Sequence, residues 1–155
     1  MAKGETRSAA RLAAVQALYQ MDVAGAPLPD TLAQFESHWL GKVVDGDEYK
    51  PADAAFFRDL VGGVLKEQRS LDPLVDRTLA SGWPLKRVEA IMRAILRAGA
   101  FELGKRRDVP AKVVIKEYVD IAHAFFERDE AGMVNAVLDT IARDVREDDF
   151  VKRAQ

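Results

Sequence analysis

The sequence contains no cysteine and no long apolar run. Without cysteine, neither a disulfide framework nor a thiolate-bound metal is possible. No segment approaches the roughly 18 consecutive apolar residues that a membrane-spanning helix requires, and residues 1–7 lack the apolar stretch of a signal peptide. We therefore expect a cytoplasmic protein without a membrane segment. A chain of 155 residues is long enough to be stabilised by an apolar core alone.

Residues with catalytic or metal-binding chemistry are also scarce. There are two histidines, His38 and His123, far apart in the sequence. The nearest approach to a metal motif is Asp120-x-x-His123 with Glu117 one turn earlier, whereas a di-iron bundle needs such a pair on each of two helices. No nucleophile elbow and no phosphate-binding glycine loop occurs. We therefore predict a protein that is not an enzyme, with no catalytic residue and no metal site.

Helical periodicity is present along nearly the whole chain. It predicts an all-α fold, a single compact bundle of about seven helices forming one domain over residues 1–155, with a charged tail from about residue 147. Helices are predicted over about residues 6–23, from Asp30 as an N-cap, over about 51–69, from Asp72-Pro73 to 79, over about 85–104, from Pro110 to Phe125, and from Asp129 as a cap.

Apolar side chains at helical spacing define the predicted core. Phe57, Leu60 and Val64 share one face of the strongest helix. Gly62 and Gly63 lie inside that helix and cost roughly 1 kcal/mol each relative to alanine, so we expect a neighbouring helix to approach closely there. Further core positions are predicted at Leu12, Val15, Leu18, Tyr19 and Val23 in the first helix, and at Val114, Tyr118, Ile121 and Phe125 in the next to last.

The net charge of −2 hides an uneven distribution. The segment Lys86–Arg107 carries seven cations and two anions, so the rest of the chain is acidic. A local basic region fits either a polyanion site or the solvated face of one helix, and charge alone leaves both open. Arg93 and Arg97 are predicted on one outward face. Arg7 and Arg11 lie one turn apart in the first helix and are predicted to point away from the core.

Five segments carry a pattern that recurs, in the same order, in one known family. They are Arg11-Leu-Ala-Ala-Val-Gln-Ala-Leu-Tyr19, Phe57-Arg-Asp-Leu-Val-Gly-Gly-Val, Ile95-Leu-Arg-Ala-Gly-Ala-Phe-Glu-Leu103, Asp108-Val-Pro-Ala-Lys-Val-Val-Ile-Lys-Glu-Tyr-Val and Met133-Val-Asn-Ala-Val-Leu-Asp139. Together they resemble the signatures of the NusB family over about residues 6–146. Any one of them alone is a weak signal, but five in order are specific.

This resemblance implies an all-helical, non-enzymatic transcription antitermination factor of bacteria. NusB-like proteins bind a single-stranded RNA element called boxA in leader and ribosomal RNA transcripts. They do so with NusE, which is also a ribosomal small-subunit protein, and the pair joins the RNA polymerase antitermination complex. No cofactor is implied. Some members self-associate, so a homodimer stays open.

The resemblance also implies site residues. Ser8 and Ala9 stand where relatives often carry arginine, and Met133 stands where they often carry an aromatic residue. The acidic position of the partner face is Met92, unless the alignment shifts and Glu89 serves instead. The implied RNA-binding residues are Lys3, Arg7, Arg11, Asp129, Met133 and Asn135, and the implied partner-binding residues are Tyr19, Glu89, Arg93 and Arg97.

Two other functions fit a bundle of this kind. One is a protein-only helical adaptor, which docks partners and binds no RNA. The other is the detached N-terminal domain of a ribosomal RNA cytosine methyltransferase. That enzyme requires a following cofactor-binding domain with a nucleophilic cysteine, and this sequence contains no cysteine.

Overall fold

The computed structural model describes residues 3–25, 27–38, 43–44, 47–48, 53–79 and 88–146. Over these ranges the chain forms six helices and one pair of very short strands. The predicted all-α bundle is confirmed, with a helix count close to the expected seven. The elements are α1 (Lys3–Ala24), α2 (Leu28–His38), β1 (Val43–Val44), β2 (Asp47–Glu48), α3 (Ala54–Thr78), α4 (Ala90–Lys105), α5 (Ala111–Phe125) and α6 (Arg128–Val145).

The helix count differs because α3 continues through Pro73, where the sequence predicted a new helix. A proline inside a helix removes one backbone hydrogen bond and crowds the preceding turn. Leu71 and Val75 are both buried on either side of Pro73, and Asp72 forms an ion pair with Arg97 of α4. The burial of Leu71 and Val75 and the ion pair of Asp72 therefore stabilise α3 as one helix across the proline.

The core is organised around α4. This helix packs against α1, α3, α5 and α6, and α5 and α6 form an adjacent pair beside it. Nearly every residue from Met92 to Leu103 is buried, as expected for a helix that is surrounded on several sides. The position of α4 therefore decides which faces of the other helices remain at the surface.

The predicted core of α3 is confirmed. Phe57, Leu60 and Val64 are fully buried, and the ring of Phe57 stacks on Phe35 of α2 with 5.7 Å between ring centroids. The close approach expected at the two glycines occurs at Gly63, where a Cβ atom would overlap the ring of Phe101 in α4. At Gly62 a Cβ atom would meet nothing within 4 Å, so the prediction is wrong for that glycine.

The predicted core face of α1 is wrong in part. Val15 and Leu18 are buried, but Leu12, Tyr19 and Val23 are exposed. The buried face consists mainly of alanines, because α1 lies close to both α3 and α4 and small side chains permit that approach. Phe125, at the end of α5, is likewise exposed and not in the core. The alanines on the buried face of α1 are Ala10, Ala13, Ala14 and Ala17.

Two helices begin one or two residues before the predicted caps. α2 begins at Leu28 with Asp30 in its first turn, and α6 begins at Arg128 with Asp129 in its first turn. Aspartates in these positions still interact favourably with the helix dipole. The polar stretch Gly41–Lys50, which the sequence predicts as a loop, contains an antiparallel strand pair in which Val43 pairs with Glu48.

Some predictions fall outside the described residues. These are the core position that helical spacing from Leu32 and Phe35 predicts at Trp39, the charged tail from residue 147 and the basic residue Lys86. In the part of the chain that is described, no helix is both long and apolar enough to cross a membrane.

Replacing Phe57 tests the packing of α3. We expect Phe57→Ala to destabilise the protein by about 3–5 kcal/mol, because it empties a fully buried aromatic site. Val113 on α5 is 42% exposed, so Val113→Ala should cost no more than about 0.5 kcal/mol. Chemical denaturation followed by circular dichroism measures both values. A loss below about 1 kcal/mol for Phe57→Ala would contradict the described packing.

Candidate functional site

Arg11 lies in the protein interior and not on its surface. Only 2% of the residue is exposed, and its Nε lies 3.0 Å and 3.1 Å from the two carboxylate oxygens of Glu102 in α4. A second guanidinium nitrogen donates to Glu117 of α5 over 3.1 Å, while Tyr118 donates to Glu102 over 2.8 Å. The prediction that Arg11 points away from the core is therefore wrong.

The physical reason for this burial is the pairing of opposite charges. Burial by itself lowers the pKa of Arg11, but the hydrogen bonds and attraction from Glu102 outweigh it and raise the pKa overall. Burial also raises the pKa of the Tyr118 hydroxyl well above its usual value, and the neighbouring carboxylate of Glu102 adds to the rise. Arg11 thus stays charged and Tyr118 stays neutral, and both are occupied by contacts within the protein.

Arg7, one turn before Arg11, lies partly at the surface. Its side chain is 17% exposed and its guanidinium lies 3.7–3.9 Å from Asp53 and Asp108. The same group covers the ring of Phe56 at 4.6 Å from the centroid. Its Nε is buried and has no hydrogen-bond partner over the described part of the chain. Arg7 is therefore oriented by this ring and these two carboxylates, and only part of its side chain reaches solvent.

The other predicted RNA residues lie on α6 and at the start of α1. Asp129 and Asn135 are exposed and Met133 is half-buried against the core. Lys3 begins α1, but its side chain lies outside the described residues. The residues of α6 therefore offer a polar surface with one apolar side chain beside it.

Among these residues, Arg7 and Asp129 lie toward opposite ends of the bundle, and Met133 and Asn135 lie between one and two turns into α6. Arg7 contacts Asp108, in the turn that follows α4, and Arg146 at the end of α6 donates to carbonyls of the same turn. The C-terminal end of α6 is therefore near Arg7. Since α6 has 18 residues, about 27 Å at 1.5 Å per residue, its start with Asp129 lies at the far end.

Two of the predicted partner residues meet in one groove at that far end. Tyr19 of α1 and Glu89, just before α4, both line an open groove of about 560 Å³ together with Phe125 and Phe126. Tyr19 is 41% exposed. Met92, which stands at the acidic position of the family, is apolar and buried. Glu89 is the exposed carboxylate that lines the groove. We refer to this feature as the aromatic groove.

Arg93 and Arg97 are less available than predicted. Arg93 pairs with Asp22 of α1 over 3.0 Å, and Arg97 makes two hydrogen bonds to Asp72 of α3, of 2.7 Å and 2.9 Å. Their side chains are only 20% and 12% exposed. Carboxylates on two neighbouring helices therefore occupy both arginines, which brace α4 against α1 and α3.

Comparison with known proteins identifies the family. The model of the NusB family matches residues 8–143, most of the chain. The chain belongs to the NusB family. A protein named transcription antitermination protein NusB from Rhodopseudomonas palustris (strain HaA2) is 64% identical over 150 residues, which cover 97% of this chain and 89% of that protein. Another with this name, from Bradyrhizobium sp. (strain BTAi1), is 66% identical over 148 residues, covering 96% and 88%.

Solved NusB structures share the fold. T. maritima NusB is 26% identical with a TM-score of 0.73, covering 88% of this chain and 90% of that chain. A crystal structure of the antitermination factors NusB and NusE in complex with double-stranded RNA has the same TM-score of 0.73 at 21% identity, covering 88% and 95%. The prediction of a NusB-type protein that is not an enzyme is therefore confirmed by the family and its curated relatives.

Sequence reasoning missed the buried polar partners that organise this NusB fold. Glu102 is one of the two anions in the basic segment of the sequence, yet it is fully buried. The signal in the sequence is that Glu102 is the single acid within the otherwise apolar run from Ala98 to Leu103. A charged residue is seldom fully buried unless it is paired, so this position predicts a buried cation as its partner. Arg146 was likewise missed, although it is 1% exposed and donates to several backbone carbonyls.

Arg11 and Arg7 should differ sharply in their effect on stability. Arg11→Ala leaves the buried Glu102 without its cation, so we expect a loss of about 3–5 kcal/mol. Arg7→Ala removes only long ion pairs and a contact with Phe56, which together contribute about 1 kcal/mol. Urea unfolding of both variants measures the difference.

A double variant controls for the charge left behind. Replacing both partners, as Arg11→Met with Glu102→Met, should recover part of the loss because no unpaired charge remains in the core. Equal stability of the Arg11→Ala and Arg7→Ala variants would contradict the buried position of Arg11.

Proposed function

We propose that this NusB-family protein is an antitermination factor that binds single-stranded boxA RNA together with NusE. It acts in the cytoplasm, within the RNA polymerase antitermination complex, and supports ribosomal RNA transcription. The main structural support is the aromatic groove, where Tyr19 and Phe125 are 41% and 42% exposed. Large aromatic side chains at the surface of a small bundle are typical of the centre of a protein interface.

The aromatic groove is the proposed site for NusE. Its aromatic side chains provide apolar contact area, and Glu89 provides a carboxylate at the edge that can pair with a cation of the partner. In this arrangement Arg93 and Arg97 position the start of α4 and so hold Glu89 beside Tyr19, because Arg93 ties α4 to Asp22 on α1. The partner contact thus depends on residues of three helices.

Arg7 and the start of α6 are the proposed RNA contacts. Arginine binds phosphate through several N–H donors, and the Arg7 side chain is 17% exposed, with ion-pair distances of 3.7–3.9 Å that are too long for hydrogen bonds. Asn135 is exposed and its amide can read a base edge. Met133 supplies apolar contact but lacks the ring face that contributes about 1–3 kcal/mol per stacked base. Arg11 is left out of this surface because it is buried.

A protein-only adaptor remains the second candidate, because the aromatic groove alone satisfies it. The same groove can also accept a second copy of this chain. The adaptor predicts no RNA affinity under any condition, while a homodimer through the groove predicts that NusE and self-association exclude each other. The adaptor is an outcome of the RNA-binding experiments below.

NusE should raise the affinity for RNA. We expect a labelled boxA-like RNA to bind more tightly in the presence of purified NusE, since each protein then contributes contacts to one RNA. Tyr19→Ala should reduce this gain without changing the affinity of the protein alone, and Val113→Ala, outside the groove, should leave both unchanged. RNA binding that is equal with and without NusE would refute the cooperative part of the function.

Arg7 should contribute to the salt dependence of RNA binding. If Arg7 contacts one phosphate, Arg7→Ala flattens the slope of log K against log salt by about 0.7. The matched control is Lys66→Ala, which removes an exposed cation from α3 and should leave the slope unchanged. Fluorescence titrations at several salt concentrations, beside melting curves, measure this. An unchanged slope in a folded Arg7→Ala protein would remove Arg7 from the RNA surface.

A further inference from the structure

The turn between α4 and α5 presents cations that no site described above uses. Lys105 is the last residue of α4, Arg107 lies in the turn and Lys112 lies in the first turn of α5, and all three are exposed. Neither lysine forms an ion pair or a hydrogen bond within the described ranges. The one described contact of the Arg107 side chain is a hydrogen bond to the carbonyl of Val145. We refer to Lys105, Arg107 and Lys112 as the basic turn.

Arg146 holds the backbone of this turn in place. Its buried guanidinium donates to the carbonyls of Leu103 over 2.7 Å, Val109 over 2.6 Å and Arg106 over 2.9 Å. Carbonyls at the end of a helix have no partner within the helix, so Arg146 satisfies the end of α4 and closes the turn. The cations are thus carried by an ordered backbone, which lowers the entropy that a ligand must remove on binding.

The basic turn is continuous with the surface around Arg7. Asp108 of the turn accepts a hydrogen bond from Arg106 over 3.0 Å and lies 3.7 Å from Arg7. The guanidinium groups of Arg7 and Arg106 both cover Phe56, at 4.6 Å and 4.9 Å from its centroid. Asp59 also pairs with Arg106. Asp59 and Asp108 neutralise part of the positive charge of Arg7 and Arg106. Among the described residues, no carboxylate forms an ion pair with the three cations of the basic turn.

We propose that the basic turn binds the phosphate backbone of the RNA that Arg7 contacts. This inference rests on the proposed function and extends its RNA surface from α1 across the end of α4. Val109 is buried and Pro110 is the one exposed apolar side chain among residues 106–110, so the turn offers mainly charge and little of the apolar contact that a protein interface needs at its centre. Phosphate binding requires little more than correctly placed cations.

The test is a double variant, Lys105→Ala with Arg107→Ala. Loss of two phosphate contacts should flatten the slope of log K against log salt by about 1.4 and weaken binding of boxA-like RNA by about tenfold near 0.15 M salt. Discrimination between boxA and a scrambled sequence should not change, because phosphate contacts carry no sequence information. The matched control is Lys66→Ala with Arg69→Ala, which removes two exposed cations from α3.

The outcomes separate this inference from the proposed function. If the wild-type protein binds no RNA, with or without NusE, the proposed function fails and the basic turn loses its ligand with it. If the wild-type protein binds RNA but the turn variant keeps the slope of the control variant, the basic turn is excluded and the proposed function stands. If the slope flattens equally in the turn variant and the control variant, the inference is overturned, because the effect then comes from net charge and not from a specific site. Melting curves establish that both variants are folded.

Loss of the NusE effect with an unchanged RNA slope would assign the turn to a protein partner and also overturn the inference. A flattened slope in the turn variant alone supports it.

Discussion

The ion pair between Arg11 and Glu102 determines how α1, α4 and α5 are arranged. Both residues are almost fully buried, and a buried charge without its partner is far more costly than either a complete pair or an apolar pair. Rotation of α1 about its axis would break this pair and the hydrogen bond from Arg11 to Glu117. The faces that α1 shows to solvent are therefore set from inside the protein, by an interaction that is buried from solvent.

Both ends of the candidate site depend on that constraint. Arg7 lies one turn before Arg11 and reaches the ring of Phe56, while Tyr19 lies about two turns after it and opens into the aromatic groove. Periodicity assigned Tyr19 to the core, and the family resemblance assigned it to a partner surface. Its exposure agrees with the resemblance alone, since the alanines of α1 already fill the space against α3 and α4.

The parts of the fold that could be predicted are those where large apolar side chains define the buried face. In α3 and α6 the buried positions follow the helical period, from Phe57 to Val64 and from Val134 to Ile141. In α1 the buried face consists mainly of alanine, which differs little in hydropathy from the rest of the helix, so helical periodicity predicts the wrong buried face for α1. The burial of Arg11 could not be predicted because its partners lie 91 and 106 positions away in the sequence.

The separation of the two candidate surfaces has a consequence for cooperativity. Arg7 and Tyr19 are twelve residues apart on one helix, about 18 Å at 1.5 Å per residue. A protein bound in the aromatic groove therefore need not change the shape of the surface around Arg7 in order to affect RNA binding there. In the proposed complex, an RNA held at Arg7 is tethered, and its free portion meets the bound protein at an effective concentration set by the intervening nucleotides. In that complex the number of intervening nucleotides acts as a spacer, and an RNA with the correct bases but the wrong spacing gains little from the pair.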